Sequence, residues 1–450
     1  MTDYKSNFVK EYKEICKDYT YTPFILPSVK RIVVFGDIHG DYKMAIKLLL
    51  MSGVAKITNT KNDNFHITKT DIDDINDIDI DNNNDNDNDN DNECNDNNNE
   101  NCENTNKIKG KFVMHNNFPI RNDVIYSMKW IGGQTHVVQV GDQVDRCRVY
   151  GSMTCDLPET TLDDENSDYK IMKLFTDLDE QAVKVGGRVI SLLGNHEINN
   201  ALGNMSYVSA KGIDGFKNYK DPKTGAIFRD GLAARRHAFL PGNEIGVFLG
   251  CTRNPAVIIG SNLFVHAGIV NQLIDDNDKE DYFKLNYKNK YYNKQAFKFK
   301  DREDFENVNI LIKRWLMNKV NYKRVHDLII DPSQEKSMFW VRILGMIKSQ
   351  LPYDNDKCVN NIDKILKLFK VNNIIVGHTP QSFQHSLHIN ATCGDKVWRV
   401  DAGSSAAFDR FDETYVRTGN MIEPRKFQYL EILNDTEFKI CFDDKCINPK

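Results

Sequence analysis

Residues 135–146 read Thr135-His136-Val137-Val138-Gln139-Val140-Gly141-Asp142-Gln143-Val144-Asp145-Arg146. A β-branched run stops at a glycine and hands over to two carboxylates and a guanidinium. This is the pattern of a buried strand whose end delivers charged side chains to a common centre. The arrangement recurs along the chain. Arg31-Ile32-Val33-Val34-Phe35 stops at Gly36-Asp37-Ile38-His39-Gly40, and Arg188-Val189-Ile190-Ser191-Leu192-Leu193 stops at Gly194-Asn195-His196-Glu197. Leu263-Phe264-Val265 stops at His266-Ala267-Gly268, and Asn373-Ile374-Ile375-Val376 stops at Gly377-His378-Thr379.

Helical patterns alternate with these strands. The sequence predicts helices over residues 6–19, 43–51, 170–185, 305–320 and 362–369, a hairpin at 257–265, and closing strands at 397–400 and 427–433. That alternation predicts an α/β class, in which function gathers at the C-terminal ends of strands. Glycine before a ligand permits a tight turn and a close backbone approach. Five strand ends would therefore bring Asp37, His39, Asp142, Asn195, His266 and His378 together.

Those six side chains offer hard oxygens and imidazole nitrogens, with no thiolate. Such a set suits two divalent ions, manganese first and iron or zinc as alternatives, rather than a structural zinc. Asp142 is the natural bridging carboxylate. Two ions about 3.5–4 Å apart would lower the pKa of a shared water and clamp phosphoryl oxygens during in-line displacement, so a metal-bound hydroxide is the expected nucleophile. His196, next to the ligand Asn195, is the expected general acid, with Asp145 orienting and charging it. Arg146 offers a planar fork for phosphate, and Arg342 in Phe339-Trp340-Val341-Arg342 is the expected second arginine. A packed arginine stacked near Trp340 is the competing reading of Arg342. His66, His115, His136, His237, His326, His385 and His388 read as ordinary core or surface histidines.

The chain has 450 residues, 40% of them apolar, and a formal charge of −5. Residues 71–106 hold eleven Asp and three Glu without a Lys or Arg, so the remainder carries +9. A mildly basic body suits an anionic substrate. The Asn/Asp tract is too polar to fund a core and reads as a disordered insert, and it lacks the regular spacing of a calcium loop. The ten cysteines follow no repeating frame and read as reduced thiols. No basic-then-apolar segment opens the chain and no apolar stretch reaches eighteen residues, so the expectation is a cytoplasmic protein with no membrane partner. No basic patch interleaved with aromatics points to nucleic acid. The expected divisions are an N-terminal helical extension at 1–29, a catalytic domain at 30–433, and a tail at 434–450. The catalytic domain would carry a largely disordered insert at 57–121 and a surface insert at 271–300.

The blocks resemble the calcineurin-like metallophosphoesterases, and within them the phosphoprotein phosphatase family. The resemblance is closest to the Shewanella-like phosphatase branch, through Gln139–Arg146, Leu192–Glu197, Phe239-Leu240-Pro241-Gly242, Phe264–Gly268, Trp340-Val341-Arg342 and Gly377-His378-Thr379-Pro380-Gln381. It implies a two-sheet β-sandwich flanked by helices, two divalent metals, and a phosphoprotein or phosphopeptide substrate dephosphorylated at Ser/Thr, with phosphotyrosine open in this branch. It also implies that Asp37, His39 and Asp142 hold one metal, that Asp142, Asn195, His266 and His378 hold the other, and that His196, Asp145 and Arg146 act on the phosphate. Cys147 and Ala267 stand where glycine is usual. A dinucleoside polyphosphate hydrolase and a non-catalytic phosphopeptide-binding module are the rival readings. Asp145 and the Trp340–Arg342 block argue against the first, and the complete ligand set against the second.

Overall fold

The strand His136–Gln139 lies inside a seven-stranded sheet. The computed structural model describes residues 4–61, 112–115, 118–121, 125–149, 151–274, 298–326, 337–384, 388–410, 425–442 and 445–449. The Asn/Asp tract and most of the expected 271–300 insert lie outside them, as do Cys94 and Cys102. Two units separate, residues 57–127 and the remainder. In the smaller one, strands Phe112–His115 and Phe118–Arg121 pair antiparallel. Every candidate site residue belongs to the larger.

The larger unit is mixed α/β. The strands used below are β1 (Ile25–Leu26), β2 (Arg31–Phe35), β3 (His136–Gln139), β4 (Arg188–Leu192), β5 (Arg253–Asn254), β6 (Ala256–Ile259) and β7 (Asn262–Val265). They continue with β8 (Asn373–Val376), β9 (Asn390–Thr392), β10 (Val397–Arg399), β11 (Gln428–Leu433), β12 (Glu437–Phe442) and β13 (Lys445–Ile447). One sheet runs β5-β4-β3-β2-β11-β12-β13, and the other runs β1-β6-β7-β8-β10-β9. In the first, β2, β3, β4 and β5 are mutually parallel, with Val34 opposite Val138 and Val138 opposite Ile190. In the second, β7, β8 and β10 are parallel.

Side-chain alternation makes the two sheets a sandwich. Ile32, Val34, Val138, Ile190 and Leu192 of one sheet share an apolar cluster with Val257, Ile259, Phe264, Ile375 and Trp398 of the other. The intervening residues Ile258, Leu263, Val265, Ile374 and Val376 point the opposite way, into a helix-lined cluster. The helices that supply it include α1 (Tyr4–Ile15), α6 (Glu244–Thr252), α7 (Arg302–Leu316) and α8 (Asp356–Phe369). In α8 the buried positions Cys358, Ile362, Ile365, Leu366 and Phe369 follow helical spacing. On the first sheet, Phe35 sets its ring 6.3 Å from Phe175 of α3 (Asp168–Val183). Further helices include α2 (Tyr42–Met51), α4 (Asn195–Ala201) and α5 (Gly231–Phe239).

Residues at both ends join this frame. Phe8, Tyr12 and Cys16, from the expected N-terminal extension, are buried in the helix-lined cluster. Residues 437–442, from the expected tail, form a strand hydrogen-bonded to β11 along its length.

The expectation of reduced cysteines is corrected. Cys16 is bonded to Cys251, Cys147 to Cys155, Cys358 to Cys393 and Cys441 to Cys446. Spacing cannot reveal such pairs when tertiary packing makes them: Cys16 and Cys251 are 235 residues apart. The pairing removes the argument for a reducing compartment that free thiols would supply. Among the described residues, no helix is long and apolar enough to cross a membrane.

Candidate active site

The site is assembled by strand ends. Asp37, Asp142 and Asn195 follow β2, β3 and β4, while His266 and His378 follow β7 and β8 of the other sheet. Two preceding glycines are required by close approach. A Cβ on Gly194 would collide with the Asp142 carboxylate, and one on Gly377 with that of Asp37. The backbone is also drawn into the left-handed region at the functional residues themselves: φ is 49° at His39, 54° at Asp142, 71° at Asp145 and 65° at His378. Such conformations cost energy and persist where surrounding structure imposes them.

Glu197 locks two of these loops together. Its carboxylate accepts from the backbone N–H of Gly194 at 2.7 Å, Gln143 at 2.8 Å and Asp142 at 3.0 Å. The Asp142 side chain in turn accepts from the His196 N–H at 2.9 Å. Asp37 accepts from the His378 N–H at 2.9 Å, while its other oxygen is buried without a partner.

Each of the three histidines expected as ligands has one ring nitrogen facing a backbone carbonyl. His266 Nδ1 lies 2.9 Å from Val140 O, His378 Nε2 lies 3.1 Å from Trp340 O, and His39 Nδ1 lies 3.4 Å from Val144 O. These partners accept, so the other nitrogen of each ring presents a lone pair. His39, Asp142 and His196 form one set of converging donor atoms, and Asp142, His266 and His378 form a second. Asp142 belongs to both; the first includes His196, expected as the acid, while Asp37 is in neither set and lies 3.9 Å from His39 Nε2. Asn195 Oδ1 joins the second set, 2.9 Å from His266 Nε2.

Electrostatics agree with a cation site. Burial, aided by Arg148, holds the His39 imidazole well below its usual range, and burial does the same to His378, so both are neutral. Burial followed by Asp401 and Asp142 pushes Asp37 well up. Burial opposes charge on Asp142, but His266 and His196 outweigh it and hold the carboxyl well down. Against burial, Asp142 raises His266. Crowded lone pairs and carboxylates of this kind are reconciled by a divalent cation, and the donor set fits one.

Beside the cage stands a histidine–carboxylate pair. His196 Nδ1 lies 2.8 Å from Asp145 Oδ2, and its Nε2 faces Asp142 Oδ2 at 3.8 Å. Asp145 is itself held: Asn200 Nδ2 donates to its Oδ1 at 2.9 Å and Arg235 Nη2 reaches the same atom at 3.3 Å. Arg235 Nη2 also donates to Asp168 at 2.7 Å, and its Nε to Asn200 at 2.9 Å.

The two expected arginines take different positions. Arg342 is exposed, and its Nη1 donates to the His378 carbonyl at 3.0 Å, at the rim of the second ligand set. Arg146 is 3% exposed. Its Nη1 lies 3.4 Å from Asp41, the residue capping α2, and its Nη2 reaches the Asp163 carbonyl at 3.5 Å. Burial opposes its charge, and Asp41 and Glu165 restore it.

No family model matches the chain. The uncharacterised protein R398 of Acanthamoeba polyphaga mimivirus is 34% identical over 282 residues, 61% of this chain and all of that protein. Shewanella-like protein phosphatase 2 of Arabidopsis thaliana is 23% identical over 317 residues, 64% of this chain and 67% of that protein. By sequence the chain is similar to the Shewanella-like phosphatases. In fold it is similar to a solved cold-active protein tyrosine phosphatase, with a TM-score of 0.50 and 16% identity over 98% of this chain and 82% of that one.

All ten sequence-predicted site residues except Arg146 and Arg342 lie in the cage or the dyad, and Arg342 borders it. Four contributors escaped the sequence reading. Asp401 sits buried after β10, where burial pushes its carboxyl up to about 6. An acid at a strand end is the signal already used for Asp37, and it was legible there. Glu197 stood inside a quoted block without a role. Asn200 and Arg235 had no local signal, since their partners are brought to them only by tertiary packing.

Proposed function

We propose that this chain is a metal-dependent phosphoprotein phosphatase of the calcineurin-like metallophosphoesterase type, hydrolysing phosphate monoesters of Ser/Thr and, within the same chemistry, Tyr. The observation that carries the reading is the His196–Asp145 pair at 2.8 Å, with His196 and His39 converging on the Asp142 carboxylate that His266 and His378 also approach. Asp37, His39, Asp142, Asn195, His266 and His378 would hold two divalent ions, manganese first among the candidates. When bound, such ions supply water of lowered pKa and neutralise phosphoryl oxygens during in-line displacement.

The chain's own residues account for the remainder. His196 holds a proton at Nε2 for the leaving oxygen, and Asp145 fixes the ring through Nδ1 and stabilises its charged form. Asn200 and Arg235 keep Asp145 from turning. The substrate partner is a phosphoprotein or phosphopeptide segment that crosses the rim at Arg342.

The test uses protein of known metal content, assayed on phosphoserine, phosphothreonine and phosphotyrosine peptides, para-nitrophenyl phosphate and diadenosine tetraphosphate. Release of phosphate from the peptides, abolished by His196→Asn, is the expected outcome. Turnover of diadenosine tetraphosphate alone would replace the reading with the dinucleotide hydrolase. Phosphopeptide binding without turnover would replace it with the binding module.

A further inference from the structure

Arg148 lies two residues beyond Arg146, in the loop that leaves β3. Its guanidinium sits 5.0 Å over the Phe408 ring and 5.9 Å over the Tyr207 ring. Those rings locate it. Phe408 packs edge-on against His39 with centroids 5.6 Å apart, and Tyr207 packs edge-on against His196 at 4.9 Å. His39 and His196 are themselves 4.9 Å apart. The Arg148 guanidinium is therefore held above the seam between a metal-ligand histidine and the acid histidine, the two groups a reacting phosphoryl group must lie between.

The loop is built to keep it there. Nη1 donates to the carbonyls of Asp145 at 3.1 Å and Cys147 at 2.7 Å. The Cys147 N–H donates to the Tyr207 carbonyl at 3.1 Å, and Cys147 is bonded to Cys155. Both hydrogen bonds from the guanidinium go to neutral backbone oxygens, and among the described residues no carboxylate forms an ion pair with it. Burial lowers its pKa, and the field of Asp142, Asp145 and Asp401 offsets part of that shift. Arg146 differs on each point: it is 3% exposed, ion-paired to Asp41 and held by the carboxylates under α2, although its Nε and Nη1 make no hydrogen bond. Arg148 is partly exposed, so a ligand reaches it from solvent.

We propose that Arg148 is a phosphate-contacting residue of this site, placed by the Phe408–Tyr207 ring pair to receive the phosphoryl oxygens of the substrate. The proposal rests on the phosphatase reading above and goes beyond it by assigning a guanidinium outside the Asp142–Arg146 motif. A planar, always charged fork without a carboxylate partner is suited to bidentate phosphate recognition.

The test is binding of inorganic phosphate to the manganese-loaded protein by calorimetry, together with kcat and KM on para-nitrophenyl phosphate. Wild type, Arg148→Met, Arg148→Lys and Arg146→Met are compared, with Tm measured for each. Arg148→Met is expected to weaken phosphate binding and raise KM by about 10- to 100-fold with Tm little changed, and Arg148→Lys to fall between it and wild type. Arg146→Met is expected to lower Tm, because Asp41 and Glu165 lose their counter-charge. Unchanged phosphate affinity and KM in Arg148→Met overturn the assignment. If Arg148→Met does not fold, wild-type affinity in Arg148→Lys overturns it. A wild-type protein that neither binds phosphate nor turns over overturns the phosphatase reading itself, an outcome distinct from failure of Arg148 alone.

Discussion

At the residue scale, the acid role proposed for His196 depends on how firmly Asp145 is fixed. Asp145→Asn keeps the shape of the side chain but removes the charge that stabilises imidazolium at His196. The expected outcome is a fall in kcat of about 10²–10⁴-fold with a smaller change in KM, read by steady-state kinetics on a phosphopeptide. His196 and Asp145 were legible because each stands in a short block after an apolar run, so one local pattern names both. Asn200 and Arg235 were not, because nothing near them in the chain marks a catalytic partner. Arg235 is fully buried, and it meets Asp145 from a helix that starts 86 positions downstream. The arginines show the same limit. Sequence identifies Arg146 as the fork by its place in the motif, yet only packing reveals that Asp41 holds it while Phe408 and Tyr207 hold Arg148.

At the element scale, α7 ties both sheets to the helical layer. Asn309 accepts from the Ala256 N–H at 3.0 Å, and Lys313 donates to the Arg253 carbonyl at 2.7 Å and to Asn254 at 3.1 Å. Burial, with Arg253 and Arg188 nearby, depresses the Lys313 ammonium to about 7. The folded pKa is below the unfolded value of about 10.4, so between these limits the unfolded chain binds more protons and stability rises with pH. The contribution is fully present above the unfolded value and is lost as pH falls to about 7. Lys313→Met removes this titration, so wild type should gain Tm relative to the variant between pH 7 and pH 10, as read by calorimetry. The strand ends and the helices carrying the core were legible from apolar runs and helical spacing. The β11–β12 hairpin was less so: Glu437–Ile440 alternates polar and apolar residues as a half-buried strand does, and Asn434 and Asp435 take positive φ in its turn, but the alternating run is only four residues long.

At the scale of the whole molecule, the pairing of distant cysteines dominates. In the chain-entropy view, closing the 235-residue span of Cys16–Cys251 stabilises by about 5 kcal/mol, against about 2 for the five-residue span of Cys441–Cys446. Cys16→Ser should therefore lower Tm by more than Cys441→Ser, and a reductant should lower wild-type Tm to a comparable degree, both by scanning calorimetry. A larger loss in Cys441→Ser would show that packing, rather than chain closure, sets the order. The longer bond also has a topological result. Asp37 and His39 precede the acidic tract at 71–106, while Asp142, Asn195, His266 and His378 follow it. A single nick in that tract would split the cage between two polypeptides that remain covalently tethered, migrating as one band on a gel without reductant and as two with it.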